Sequence, residues 1–170
     1  MTDYFMQHKM LTFKHRFSID DANGAPVYYV ETKPVALVQQ AKMTDLAGRE
    51  VALVKEKPLK LFGSAFNVYF AGRLAMTVTQ NIKLRRTIDL TGTDWSVQGT
   101  WPPGIYDVLD PVGQVQAHVA TGLANMTDVY SIQTAPGAPD AQVLALVVAI
   151  DAILSPPMTL TLSDWIKNWS

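Results

Sequence analysis

The stretch Pro139-Asp-Ala-Gln-Val-Leu-Ala-Leu-Val-Val-Ala-Ile-Asp-Ala-Ile-Leu-Ser155 decides the fold of this chain. Between Val143 and Leu154 the one polar residue is Asp151. Such a run has no polar stripe to turn towards water, so a helix built from it must be enclosed on every side. At ~1.5 Å per residue, about fifteen residues reach only ~22 Å, short of the ~30 Å core of a bilayer. The stretch is therefore expected to form a core helix over about residues 139–155, not a transmembrane segment.

Everything before it reads as short strands. Gly24, Gly48 and Gly72 recur every 24 residues. Each lies between two strand-like runs: Phe17–Ile19 and Val27–Val30, then Met43–Asp45 and Val51–Val54, then Phe66–Phe70 and Leu74–Val78. Glycine supplies the positive φ of a tight hairpin, and Asn23-Gly24 is the strongest such signal. A fourth unit joins Ile105–Leu109 to Val115–Val119 through Asp110-Pro-Val-Gly113. Alternation supports strands: Val115, Ala117 and Val119 would share one face, and Leu74, Met76 and Val78 another. Trp95–Val97 and Val129–Ile132 add two more, giving about ten to twelve strands. A fixed period also fits a solenoid, but a solenoid offers no enclosed place for an apolar helix. A closed barrel offers that place and removes exposed sheet edges. The expected fold is mainly β, a closed antiparallel β-barrel around a buried hydrophobic C-terminal α-helix. No linker divides residues 1–155, and residues 156–170 form a tail.

The hairpin pattern Phe17-x-Ile19-x-Asp21-x-x-Gly24-x-x-Val27 resembles the LURP-one-related family. So do Trp95-Ser-Val-Gln-Gly99, the terminal Leu144-Ala-Leu-Val-Val-Ala-Ile-Asp151, and the opening Met6-Gln-His-Lys-Met-Leu-Thr-Phe13. The resemblance spans roughly residues 5–155 and leaves out residues 156–170. It implies a tubby-like fold, a closed antiparallel barrel of about twelve strands around a central hydrophobic helix.

Composition excludes several functions. The hydrophobic share of 48% and charged share of 17% indicate a globular domain, not a disordered one. A net charge of −1 argues against a nucleic-acid binder. The absence of cysteine removes disulfides, zinc–thiolate sites and thiol catalysis, and fits a reducing compartment. Met1–Met10 contains no apolar signal region, so a cytoplasmic location is expected. The charge is unevenly placed. Residues 1–90 hold 13 Lys+Arg against 8 Asp+Glu, and residues 91–170 hold 1 against 7, so the halves carry +5 and −6. A basic face that meets anions is one consequence, and attraction between the halves is another.

A search for catalytic chemistry returns little. His8, His15 and His118 lack the spacing of a metal site, and no metal or cofactor is expected. Tubby-like relatives include phospholipid scramblases, which makes Asp20-Asp-Ala-Asn-Gly24 worth testing as a calcium loop. With Gly24 in the sixth position, the first ligand would have to be Ile19, so these residues read as turn formers. No G-x-S-x-G is present, and the glycines before Arg49 and Arg73 open hairpin exits, not phosphate-binding helices. Asp107 and Asp110 flank a turn and read as solvated. Asp151 must be paired, hydrogen-bonded or at the barrel mouth, because an unpaired buried carboxylate is costly; a helix-end residue reaching solvent or a backbone donor is the simplest case.

Two basic clusters remain: Lys55, Lys57 and Lys60, and Lys83, Arg85 and Arg86. Tubby domains bind phosphoinositide head groups through basic side chains, so the resemblance makes these six the candidates for anion or lipid contact. In the tail, Trp165, Ile166 and Trp169 suit docking back on the barrel, a protein interface or a membrane interface. The function expected is a non-catalytic binding or adaptor domain. Its partners would be anionic phospholipid head groups, at the periphery of a membrane, or another protein. The alternative is an enzyme whose site is assembled from scattered strand residues. An apolar-ligand carrier is disfavoured because the helix would fill its cavity.

Overall fold

The computed structural model describes residues 1–7, 16–35, 38–57, 65–81, 87–100, 105–123 and 126–154. Twelve strands precede the helix: β1 (Thr2–Gln7), β2 (Arg16–Asp21), β3 (Pro26–Val35), β4 (Val38–Thr44), β5 (Glu50–Glu56), β6 (Ala65–Phe70), β7 (Arg73–Asn81), β8 (Thr87–Thr91), β9 (Ser96–Thr100), β10 (Ile105–Leu109), β11 (Val115–Leu123) and β12 (Met126–Thr134). The helix α1 spans Asp140–Leu154, within a residue of the expected bounds at each end.

All twelve strands form one antiparallel sheet in the order β8-β7-β6-β5-β4-β3-β2-β1-β12-β11-β10-β9. Neighbours in sequence pair as hairpins, and the ring turns back on itself where β1 meets β12, Thr2 opposite Thr134 through Gln7 opposite Val129. β8 and β9 lie beside each other at the seam, with no shared ladder among the described residues, so the barrel is nearly closed.

The helix fills the barrel. Every residue from Val143 to Ile153 is buried. The inward row of the strands packs against it, with Ile19, Val30, Val68, Val78, Val108, Val119 and Ile132 all buried. Pro139 precedes the helix, where its missing N–H costs nothing, and its carbonyl accepts from Gln142 and Val143. Asp140 in the first turn complements the positive end of the helix dipole.

The hairpins explain the aspartate–glycine pattern. Asp21, Asp45 and Asp110 each use Oδ1 to accept the N–H groups two and four residues on: Asn23 and Ala25, Ala47 and Arg49, Val112 and Gln114. Each following glycine donates its N–H back to the aspartate carbonyl at 3.0 Å and takes a positive φ, 81° at Gly48. These carboxylates are turn formers, as expected for Asp21. A register shift accompanies each turn, beside Leu109 in β10 and Tyr69 in β6. It moves Val115 and Leu74 out of the inward row, where alternation had put them. Both are exposed, while Ala117, Val119, Met76 and Val78 are buried.

Candidate functional site

Because the strands alternate in direction, the barrel has two chemically different rims. At one rim the chain turns through 21–25, 45–49, 71–72, 92–95 and 110–114, and α1 begins. Asp21, Asp45, Glu50, Asp94, Asp110 and Asp140 lie there with Arg49 and Arg73. At the other rim β1, β3, β5, β7, β9 and β11 end, and α1 runs out towards Leu154. Arg16, Lys33, Lys55 and Lys57 mark this second rim, together with Glu31 and Glu56.

The cations of the second rim share the outer face of β3–β5. Gln40 lies opposite Lys33 on one side and Lys55 on the other. With strands ~4.8 Å apart, the two lysines stand roughly 10 Å from each other. Lys57 continues the phase of Lys55 just past the strand, where its N–H donates to the Ala65 carbonyl. Lys42, opposite Glu31 and Leu53, extends the row towards the barrel waist. Lys33, Lys55 and Lys57 are exposed and Lys42 is half-buried. None of the four forms an ion pair with a described carboxylate. Arg16 differs: it lies 4.0 Å from Glu31 and stacks 4.2 Å above the Tyr29 ring. Glu56 is turned inward, buried, and accepts the Gln39 N–H at 2.8 Å. The face therefore presents an excess of cations over carboxylates, Lys33, Lys42, Lys55 and Lys57 around Glu31, an arrangement suited to an anionic surface.

The sequence pattern of the LURP-one-related family matches residues 2–151. The chain belongs to that family. Among solved structures, the barrel is similar to an X-ray structure of a protein from Arabidopsis thaliana. The two are 21% identical, with a TM-score of 0.63 over 89% of this chain and 91% of that one. At that identity the likeness establishes the fold alone. A comparison with curated protein sequences returns no match.

Of the six anion-contact candidates in this LURP-one-related barrel, Lys55 and Lys57 fall on one exposed face. Lys60, Lys83, Arg85 and Arg86 lie outside the described residues, as do Trp165, Ile166 and Trp169. The chain leaves the described part at Lys57 and Asn81 and re-enters at Ala65 and Thr87, all at the second rim. Sequence reading missed Lys33 and Lys42. The β3–β4 and β4–β5 registers that set Lys33 and Lys55 on either side of Gln40 were the signal, and they are not visible in linear spacing.

Two polar groups remain. His118 and Asp107 face each other across β10 and β11, Nδ1 to Oδ1 at 2.6 Å. The pair is open to solvent on the outer face, and no other described side chain bonds the ring. It reads as a cross-strand hydrogen-bonded pair, not as part of a cleft. Asp151 departs from the expectation of a helix end in water, being 1% exposed inside the barrel. Its charge reaches the hydroxyls of Tyr106 and Tyr130, and together with burial, the larger cause, it pushes both phenols far above their ordinary range. The expectation that Asp151 would be partnered within the structure holds.

Proposed function

We propose that this barrel is a non-catalytic binding domain whose basic rim meets the anionic head groups of a membrane surface. The observation that carries the reading is the outward cluster of Lys33, Lys42, Lys55 and Lys57, four cations around one described carboxylate, Glu31, with which none of them forms a close ion pair. Each cation near an anionic leaflet contributes ~1 kcal/mol, so four give roughly 4 kcal/mol, a weak and reversible attachment. The helix fills the lumen, which leaves the outer surface and the rims as the places for recognition. The reading implies a peripheral protein on the cytoplasmic leaflet, where anionic lipids are concentrated. No described helix is long and apolar enough to cross a membrane.

Co-sedimentation with phosphatidylserine vesicles and with neutral phosphatidylcholine vesicles tests it. Binding to the anionic vesicles should be strong at low salt and fade at physiological salt, where screening shortens to ~8 Å. A chain that ignores anionic vesicles even at low salt defeats the lipid reading. A protein partner, engaged through Trp165, Ile166 and Trp169, then takes its place.

A further inference from the structure

The acidic rim carries a second concavity, remote from the lysine face. An open depression of about 450 Å³ lies at the barrel mouth near the start of α1, lined mainly by Tyr4, Val27, Tyr28, Asp45, Leu46 and Arg49. A helix N-terminus ordinarily invites an anion. Here that role is already filled. Asp140 occupies the first turn, and the Tyr4 hydroxyl donates to its Oδ2 at 2.6 Å.

The remaining polar chemistry is that of acceptors. Tyr28 and Asp45 line the same depression, Asp140 is bonded to Tyr4 of that lining, and both carboxylates add to burial in raising the Tyr28 phenol. Arg49, the one cation among the described lining residues, is committed, since its Nε donates to Asp45 Oδ2 at 2.8 Å. The Arg49 side chain is otherwise 82% exposed, so it can leave that contact without breaking any packing. Val27, the ring faces of Tyr4 and Tyr28, and Leu46, itself 65% exposed, supply the apolar wall. An alkyl stem laid along Val27 and Leu46 carries a positive head to Asp45 and the Tyr28 ring, where charge attraction and cation–π contact combine.

We infer that this mouth receives a guanidinium or ammonium group on an apolar stem, the chemistry shared by a basic side chain of a partner protein and a free alkyl amine. The incoming group displaces Arg49 from Asp45 Oδ2, and Arg49 in the free protein is the internal copy of the contact. Asp45 Oδ1 stays with Ala47 and Arg49 N–H, so the turn survives occupation.

Titration of the isotope-labelled full chain with butylguanidinium, followed by backbone amide and tyrosine ring resonances, tests this. Butylurea serves as the neutral isostere and butyrate as the anion. Butylguanidinium should shift Tyr4, Tyr28 and Leu46 saturably in the millimolar range expected of so small a ligand. Asp45→Asn, which keeps the Oδ1 acceptor of the turn, should weaken the response about tenfold. A blocked Gly-Gly-Arg-Gly-Gly peptide binding more tightly than butylguanidinium assigns the site to a partner's side chain. Equal affinity assigns it to a free amine. An equal response to butylurea, a stronger one to butyrate, no saturable shift, or an Asp45→Asn protein that binds as the wild type would each overturn the assignment. None of these results bears on the lysine face.

Discussion

The two rims of this barrel are built by opposite rules. The acidic rim is made of short turns whose aspartates are consumed by their own backbone N–H groups and whose glycines adopt φ near 80°. Its charges are mostly structural. The basic rim presents lysines that hold nothing together. Lys33, Lys55 and Lys57 could be changed without unpairing any described group. A carboxylate that a fold spends on its own turn offers a ligand at most its second oxygen, as Asp45 does through Oδ2, whereas charge left idle on one face is available whole. The shared element is α1, which runs from one rim to the other.

The largest effect should come from that shared element. Leu146 is fully buried mid-helix. Leu146→Asp would bury an unpaired charge among apolar neighbours, a cost of several kcal/mol against a typical total stability of ~5–15 kcal/mol. The protein should be unfolded or insoluble by circular dichroism and sedimentation. A soluble variant with a cooperative melt would mean that the helix is not enclosed.

Alkali should reach the interior from both rims. Burial is the leading cause that holds the phenols of Tyr4, Tyr28, Tyr106 and Tyr130 above their ordinary value of 10.0. Below pH 10 both folded and unfolded chains keep these protons, and stability is complete. Above it the unfolded chain ionises first, so stability falls as pH rises. Ionisation of these four tyrosines should therefore accompany loss of the β signal. Ionisation of all tyrosines in a chain that stays folded would contradict the burial.

Smaller effects separate the ends of the strands. At Gly48 an added Cβ meets open space, so Gly48→Val should cost about 1–2 kcal/mol through backbone strain alone. At Gly99 an added Cβ would run into the Ile105 carbonyl and Tyr106 Cβ, so Gly99→Ala should cost about 1–3 kcal/mol through overpacking. Urea melts read both. A neutral Gly48→Val would mean the turn relaxes at no cost.

Much of this was legible beforehand, for identifiable reasons. The helix could be read because an apolar run admits few other placements. The turns could be read because positive φ and a local aspartate acceptor are encoded within five residues. The facing of Val115 and Leu74 could not, because a register shift at a turn leaves no mark on alternation. Nor could the neighbours of Asp151, since Tyr106 and Tyr130 reach it from strands far away in sequence. The lysine face was half visible. Lys55 and Lys57 share a strand phase, but Lys33 and Lys42 join them only through hairpin register. The +5 and −6 halves resolve into the fold in part, the acidic rim drawing on aspartates from both halves.

The most direct test is a matched pair of charge reversals on the two rims. Lys55→Glu with Lys57→Glu changes the basic rim by the same net charge as Arg49→Glu with Arg73→Glu changes the acidic rim. The lysine side chains hold no described partner, and that pair should leave the melt within about 0.5 kcal/mol of the wild type, whereas Arg49→Glu also removes the Asp45 ion pair, so the acidic-rim pair should melt somewhat lower. Binding to phosphatidylserine vesicles at low salt is then compared. The basic-rim pair should lose roughly 2–4 kcal/mol, and the acidic-rim pair should bind almost as the wild type does. Equal losses from the two pairs would show that net charge, not the lysine face, governs the attraction, and would contradict the account.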